Sequence, residues 1–458
     1  MIERLVIFGA TGDLTARYLL PGIVALWAAG RLPEEFRLTG AGREDWDTDR
    51  YRGWAAEQLD RHAREFPTDT KDAVVSATAY QQCDVTQPQS VAAAVAGEGP
   101  VAAYLALPPV VFPAAVTALG AAQLPEGSRV VLEKPFGEHL TDAVELNRLL
   151  ARFMPEEAVF RVDHFLAMTT VQNMLGARLA NRVLEPIWNS THIAEIDIVW
   201  DESLALEGRA GYYDGVGALK DMIQNHLLQL LCLVAMEPPI SLGERDLRDR
   251  KLDVLRSVQP LTQEEIRRHS RRARYTAGRI GDREIPAYVD EDGVDPGHRT
   301  ETFAEVELRL DNWRWADTLF RLRAAKGIDR DRKEVAIRFR EVPHLPMPAE
   351  VAPNVLRFGL DPESIGLELY AVGGQRGVLA PVTLDAELPS PSLPAYGALL
   401  LNVLNQDASL SIRGDEAEQS WRVVDPVLDA WSKDLVPLEE YPAGSLGPAA
   451  RGLGGVRM

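Results

Sequence analysis

The sequence predicts two architectures in one chain, an α/β part with a doubly wound parallel sheet and an α+β part with a large, mostly antiparallel sheet and helices. Three observations carry this. The first 165 residues alternate short apolar runs with helical patterns, the rhythm of βαβ units. After about residue 190 the apolar positions recur every second residue, as in strands with one buried face. A chain of 458 residues also exceeds what one hydrophobic core fills.

In the first part the expected strands are Leu5 to Phe8, Arg37 to Ala41, Ala102 to Leu107, Arg129 to Glu133 and Val159 to Val162. Runs such as Val130-Val131-Leu132 are apolar throughout, which suits strands covered by helices on both faces. The first strand runs into Gly9-Ala10-Thr11-Gly12-Asp13-Leu14 and a helical segment ending near Ala28. Glycines at such a turn let backbone N–H groups and a helix N-terminus approach a pyrophosphate, so this part reads as a Rossmann dinucleotide-binding domain over residues 1–165.

The second strand ends in Gly42-Arg43-Glu44, where this fold reads the adenine ribose. Arg43 suits the 2′-phosphate of NADP; Glu44 suits the free 2′-hydroxyl of NAD and repels a phosphate. An ordinary surface pair is a further reading, and the residues alone leave the choice open.

In the second part, residues 166–458, Ile196, Ile198 and Trp200 alternate with Asp197 and Val199. Ala304 to Leu310, Val335 to Phe339 and Ile365 to Leu369 show the same alternation. Between them, Thr262-Gln263-Glu264-Glu265 is a capping-box sequence for a surface helix. Arg267, Arg268, Arg271, Arg272 and Arg274 follow it; flanked by acids and without an aromatic ladder, they read as a salt-bridged face rather than an anion site.

Lys and Arg total 49 against 68 Asp and Glu, a net charge of −19, which argues against nucleic acid and anionic lipid as partners. The two cysteines, Cys83 and Cys232, have no CxxC spacing, so neither a disulfide framework nor a zinc site is expected, and no metal is assigned. The apolar stretch Leu227 to Met236 falls short of the roughly 20 residues that span a bilayer. The expectation is a soluble, cytoplasmic protein.

Asp163-His164 ends a strand of the parallel sheet, where such sheets bind ligands. The helix expected over Ala218 to Met236 carries Asp221, Asn225 and His226 in its first half and is apolar beyond them. A carboxylate that orients an imidazole gives a base able to remove a hydroxyl proton near neutral pH.

With these residues the sequence resembles the glucose-6-phosphate dehydrogenase family over nearly its whole length. The shared motifs are Gly9 to Leu14, Tyr104 to Pro109, Glu133-Lys134-Pro135-Phe136-Gly137 and Arg161-Val162-Asp163-His164. They continue through Glu207-Gly208-Arg209, Asp221 to His226, Arg314-Trp315-Ala316 and Tyr441-Pro442-Ala443-Gly444. The resemblance implies that His226 takes the C1 hydroxyl proton of an aldohexose while hydride leaves C1 for NADP or NAD, giving a 1,5-lactone, and that Asp163 orients His226.

It further implies a cofactor site at Gly9, Thr11, Gly12, Asp13, Leu14, Arg43, Glu44, Leu107, Pro108 and Lys134, with Lys134 between cofactor and sugar. Glu207, Asp221 and Lys326 match residues of the sugar site, although Ala324-Ala325-Lys326 departs from the usual Thr-Gly-Lys. It implies a homodimer, or a dimer of dimers, joined through the large sheet.

The family's phosphate-binding motif reads Asp-His-Tyr-Leu-Gly-Lys; here it reads Asp163-His164-Phe165-Leu166-Ala167-Met168. His164 stays, while a phenol and an ammonium are lost, each charge-assisted bond to phosphate being worth roughly 1.5–3 kcal/mol. The expected substrate is therefore a non-phosphorylated or C6-altered aldohexose. The alternatives are an authentic glucose-6-phosphate 1-dehydrogenase in which another cation such as Arg330 or Arg332 replaces the lysine, and a non-catalytic nucleotide-binding regulator. Ala16 and Tyr18, standing where the family often has lysines, join Glu44 in tilting the cofactor toward dual or NAD-preferring use.

Overall fold

The structure, a computed structural model, describes residues 1–206, 210–346, 350–373, 378–389 and 391–449. It divides into two compact units. The first gathers Met1–Gln172, Pro238–Leu252 and Pro391–Trp421; the second gathers Asn173–Glu237, Asp253–Ser390 and Arg422–Met458. The single cut after residue 165 expected from the sequence thus becomes a chain that returns twice to its first unit.

The first unit is built on a six-stranded parallel sheet of β1 (Arg4–Phe8), β2 (Arg37–Gly42), β3 (Thr78–Gln82), β4 (Val101–Leu105), β5 (Arg129–Glu133) and β6 (Val159–Val162). Their order, β3-β2-β1-β4-β5-β6, is that of a Rossmann fold, with its switch point between β1 and β4. β1, β4 and β6 are almost wholly buried, as the apolar run Leu5 to Phe8 and the apolar β4 require, while in β6 the burial includes Arg161. β3 was not among the expected strands: at the sheet edge, Thr-Ala-Tyr-Gln-Gln buries only Thr78 and Tyr80 and shows no apolar run.

After the glycine turn the chain forms a π-helical turn, Thr15–Leu19, then an α-helix, Leu20–Ala28. Pro21, at the head of the α-helix, has no N–H to donate back into the preceding turn. The helix Ala395–Asn405 packs against Leu20–Ala28, and a Cβ on Gly22 would stand 3.1 Å from the Gly397 nitrogen. Glycine at both positions is what lets the two backbones approach. A backbone bond from Ile2 N–H to the Leu404 carbonyl, 2.7 Å, ties this late helix to the start of β1.

The second unit carries β7 (Ile193–Asp201), β8 (Ser270–Thr276), β9 (Gly278–Ile280), β10 (Arg283–Ile285), β11 (Phe303–Leu308), β12 (Leu319–Ala325), β13 (Arg332–Phe339), β14 (Val355–Leu360), β15 (Glu363–Val372), β16 (Leu379–Glu387) and β17 (Leu438–Pro442). Apart from the small β9–β10 hairpin they form one nine-stranded sheet, β16-β15-β14-β13-β7-β12-β11-β8-β17. Only β7–β12 and β8–β17 pair parallel within it. The sheet is mostly antiparallel, as the period of two predicts.

The capping box at Thr262 forms as expected, with Thr262 and Glu265 each accepting the other's backbone N–H. All five arginines of the charged stretch face carboxylates: Arg267 and Arg268 meet Glu264, Arg271 meets Glu439, Arg272 meets Asp434 and Arg274 meets Glu440. No helix among the described residues is long and apolar enough to cross a membrane.

Candidate active site

Within the first unit the expected cofactor residues surround the switch point. Gly9 has φ +82°, and a Cβ there would lie 2.2 Å from the Ala106 carbonyl oxygen, so only glycine fits. The Gly9 carbonyl accepts the Gly12 N–H at 3.0 Å and the Thr15 hydroxyl at 3.2 Å, closing the turn that leads into the helix. The buried Tyr51 donates to the Ala10 carbonyl at 3.2 Å. Leu107 and Pro108 follow β4, with Leu107 Cδ2 3.2 Å from where a Gly9 Cβ would stand. This closely built turn fits a pyrophosphate, and Thr11, Asp13 and Leu14, the other residues expected there, lie along it between Gly9 and Thr15.

At the end of β2, Arg43 is exposed and Glu44 half-buried. The Tyr80 hydroxyl donates to the Glu44 carbonyl at 3.0 Å and reaches its carboxylate at 3.4 Å. An open cleft is lined by Arg43, Gln82, Asp84 and Ser90.

Glu133 closes β5 immediately before Lys134. The Tyr104 hydroxyl donates to its carboxylate. Burial pushes the Glu133 carboxyl up to about 7, against the Tyr104 bond and the Lys134 charge, which favour the anion. Gly137 completes the motif at φ +96°, where a Cβ would stand 2.7 Å from the Ala143 nitrogen.

Asp163, buried just past β6, accepts the Phe165 N–H at 2.9 Å. Arg161 holds this strand end from behind: fully buried, it donates to Glu156 and Asn147, both at 2.7 Å, while its carbonyl accepts the Ile412 N–H at 2.9 Å. The shared Arg-Val-Asp-His motif therefore contains a structural clamp beside the expected site residues Asp163 and His164. Phe165 is 5% exposed and packs edge-on to His164, ring centres 5.0 Å apart. Its bare ring thus suits a core position, while Met168 is half-buried. His164 also stacks on Tyr396, which stacks in turn on Tyr18 at 5.2 Å.

Within the second unit the expected helix is a π-helix, Leu219–Leu227, continued by the α-helix Leu228–Ala235. It packs against β11 and β12 and buries His226 to 1% exposure. Asn225 is fixed locally: its amide donates to the Lys220 carbonyl at 2.8 Å and its oxygen accepts the His226 N–H at 2.6 Å. Lys326, after β12, donates to Glu202 at 2.7 Å and lies 5.4 Å over the Tyr213 ring. Burial first, and then the Asp221 charge, holds the Tyr213 phenol well above its usual range. Asp221, Tyr213 and Lys326 thus form one polar cluster in this unit. Glu207 lies outside the described residues.

Arg332 is taken up by Glu334 at 2.8 Å, whereas Arg330 is exposed and has no ion pair among the described residues. Tyr396 and Glu301 were not found from sequence; each contacts a segment far away along the chain, Tyr396 stacking on His164 and Glu301 accepting the Leu219 N–H.

Residues 6–173 match the family model described as glucose-6-phosphate dehydrogenase, NAD binding domain, and residues 175–452 match the C-terminal domain of that family. The chain is 39% identical to glucose-6-phosphate 1-dehydrogenase of Treponema pallidum, over 97% of this chain and 92% of that one. It is also 39% identical to the enzyme of that name from Mycolicibacterium smegmatis, over 97% and 94%. A solved glucose-6-phosphate dehydrogenase in complex with its substrate glucose-6-phosphate superposes with a TM-score of 0.89 at 29% identity, covering 98% and 96%. The Mycobacterium avium glucose-6-phosphate 1-dehydrogenase gives 0.87 at 33%, covering 98% and 95%. The protein is an NAD(P)-dependent oxidoreductase, and the chain belongs to the glucose-6-phosphate dehydrogenase family.

Proposed function

We propose that the protein is a glucose-6-phosphate 1-dehydrogenase, oxidising C1 of glucose 6-phosphate to the 1,5-lactone. The observation that carries this reading is the likeness along nearly the whole chain to relatives bearing that name, with Lys134, Asp163, His164, Asp221 and His226 all present. The neutral hexose expected from Phe165 and Met168 gains no support from the comparisons. The burial of Phe165 weakens its main argument, since a ring packed in the core gives a reason other than substrate choice for the lost hydroxyl. Arg330, without an ion pair among the described residues, is the cation we assign to the phosphate in place of the missing lysine.

NADP or NAD, when bound, supplies the acceptor for the C1 hydride. His226 receives the proton of the C1 hydroxyl, and Asp163 is its orienting carboxylate. Lys134 lies between cofactor and sugar; Asp221, Lys326 and Glu207 hold sugar hydroxyls; His164 binds the phosphate. Within the cofactor site we favour NADP. Arg43 is exposed, and the Tyr80 hydroxyl within reach of the Glu44 carboxylate reduces the repulsion a 2′-phosphate would meet there. We also infer a homodimer joined through the large sheet, where β16 exposes Val382 and Leu384; sedimentation equilibrium tests this by reading one chain mass or two.

The test of the activity is cofactor reduction by purified protein with glucose 6-phosphate. Turnover that disappears in His226→Asn supports the reading, and turnover of glucose but not of glucose 6-phosphate refutes it.

A further inference from the structure

We infer that Glu301 is a positioning residue for the reaction, holding the start of the helix that carries Asp221, Asn225 and His226; this rests on the function proposed above. The helical stretch that continues as Leu219–Leu227 starts at Gly217 and Ala218, neither of which has a side chain able to cap the free N–H groups of a first turn. The cap comes from Glu301, beside the start of β11. Its carboxylate accepts the Leu219 N–H at 3.0 Å, and its own carbonyl accepts the Ala218 N–H at 3.1 Å and the Tyr213 hydroxyl at 3.4 Å. One residue thus fixes two successive backbone nitrogens, two and three positions before Asp221.

The geometry around it is built to this purpose. Gly217, at φ +71°, is the residue against which the carboxylate rests; a Cβ there would stand 2.4 Å from Glu301 Oε1. Burial pushes the Glu301 carboxyl up to about 7, against the Leu219 N–H and the charges of Arg272 and Lys220, which favour its anion, and Tyr213 and Tyr288 are the phenols that feel its charge. A carboxylate at a helix N-terminus also meets the positive end of the helix dipole. Because Asp221 and His226 ride on this helix, its first turn sets where the sugar-binding carboxylate and the base stand.

The test compares Glu301→Ala with Glu301→Gln in the full chain, the amide oxygen of Gln being able to accept the Leu219 N–H. Hydrogen–deuterium exchange of residues 219–226 reads the helix directly, and steady-state kinetics read its consequence. The Ala variant is expected to exchange at least tenfold faster over 219–226 with the six-stranded sheet unchanged, and to lose at least tenfold in kcat with KM for NADP unaltered. The Gln variant is expected within threefold of wild type in both. Wild-type protection in Glu301→Ala, or a Gln variant as impaired as the Ala variant, would overturn the inference. If the Ala variant does not fold, the Gln variant decides by its protection alone. A wild-type chain that protects this helix but turns over no glucose 6-phosphate would fail the proposed function while the exchange comparison still decides the role of Glu301.

Discussion

The ring of Tyr396 lies 5.4 Å from the imidazole of His164 and within 18° of parallel to it. His164 sits just beyond β6, and Tyr396 opens the helix Ala395–Asn405, which returns to the first unit far along the chain. The stack covers one face of the imidazole and fixes the plane of its ring, so Tyr396 sets the directions in which the ring nitrogens point. Tyr396→Leu is expected to raise KM for glucose 6-phosphate several-fold while leaving KM for NADP unchanged, measured by initial rates. Tyr396→Phe, which keeps the ring, should remain close to wild type in sugar affinity.

His226→Asn is expected to lower kcat by orders of magnitude, because an amide cannot take the hydroxyl proton. Asn225 and its bonds to Lys220 and to the position 226 N–H do not depend on the imidazole, so the helix should persist. Nucleotide affinity, read by fluorescence titration, should change less than twofold.

Gly9→Ala is expected to abolish or weaken nucleotide binding by at least tenfold. The added methyl would meet the Ala106 carbonyl at 2.2 Å on a backbone at φ +82°, and any relief moves the turn that cradles the pyrophosphate. The same titration checks it.

The pH dependence of stability should reveal Glu133. Its carboxyl is raised to about 7, so between about 4.5, its ordinary value, and 7 the folded chain holds a proton the unfolded chain has released. Its contribution to stability is therefore fully present below about 4.5 and is lost as the pH rises through 7. The groups facing it are Tyr104 on β4, Lys134 beside it, Asp163 beyond β6 and Tyr396. Glu133→Gln should flatten this part of the profile of Tm against pH.

Much of this molecule was legible in its residues, for reasons that are local. The apolar runs of β1 and β4 reflect burial on two faces and the alternation of β11 burial on one, whereas β7, read as half-buried, is buried on both faces from Ile196 to Asp201 because it is a central strand of the large sheet. Gly9 advertises a backbone that other residues cannot adopt. β3 was hidden because an edge strand with two exposed glutamines looks like a loop. The returns of Pro238–Leu252 and Pro391–Trp421 were hidden because their partners lie in another part of the chain. Tyr396 and Glu301 share that cause: the Glu301 bond to Leu219 spans 82 residues, and neither end carries a motif for the other. Phe165 carries two readings, since its lost hydroxyl points to a changed substrate while its burial gives a second reason for a bare ring.

The missing ammonium at Met168 gives a gain-of-function prediction. Met168→Lys should lower KM for glucose 6-phosphate about tenfold, on the scale of roughly 1.5–3 kcal/mol for a charge-assisted bond to phosphate. Arg330→Ala should raise the same KM by a comparable factor, and initial rates with glucose as a control will show whether either effect belongs to the phosphate.

The most direct measurement of the central claim is initial-rate cofactor reduction by the purified chain, with glucose 6-phosphate and glucose each offered with NADP and with NAD. The predicted result is a kcat/KM for glucose 6-phosphate that exceeds that for glucose by orders of magnitude, with NADP the better acceptor. A kcat/KM for glucose equal to or above that for glucose 6-phosphate would contradict it, and would mean that Phe165 and Met168 have changed the substrate after all.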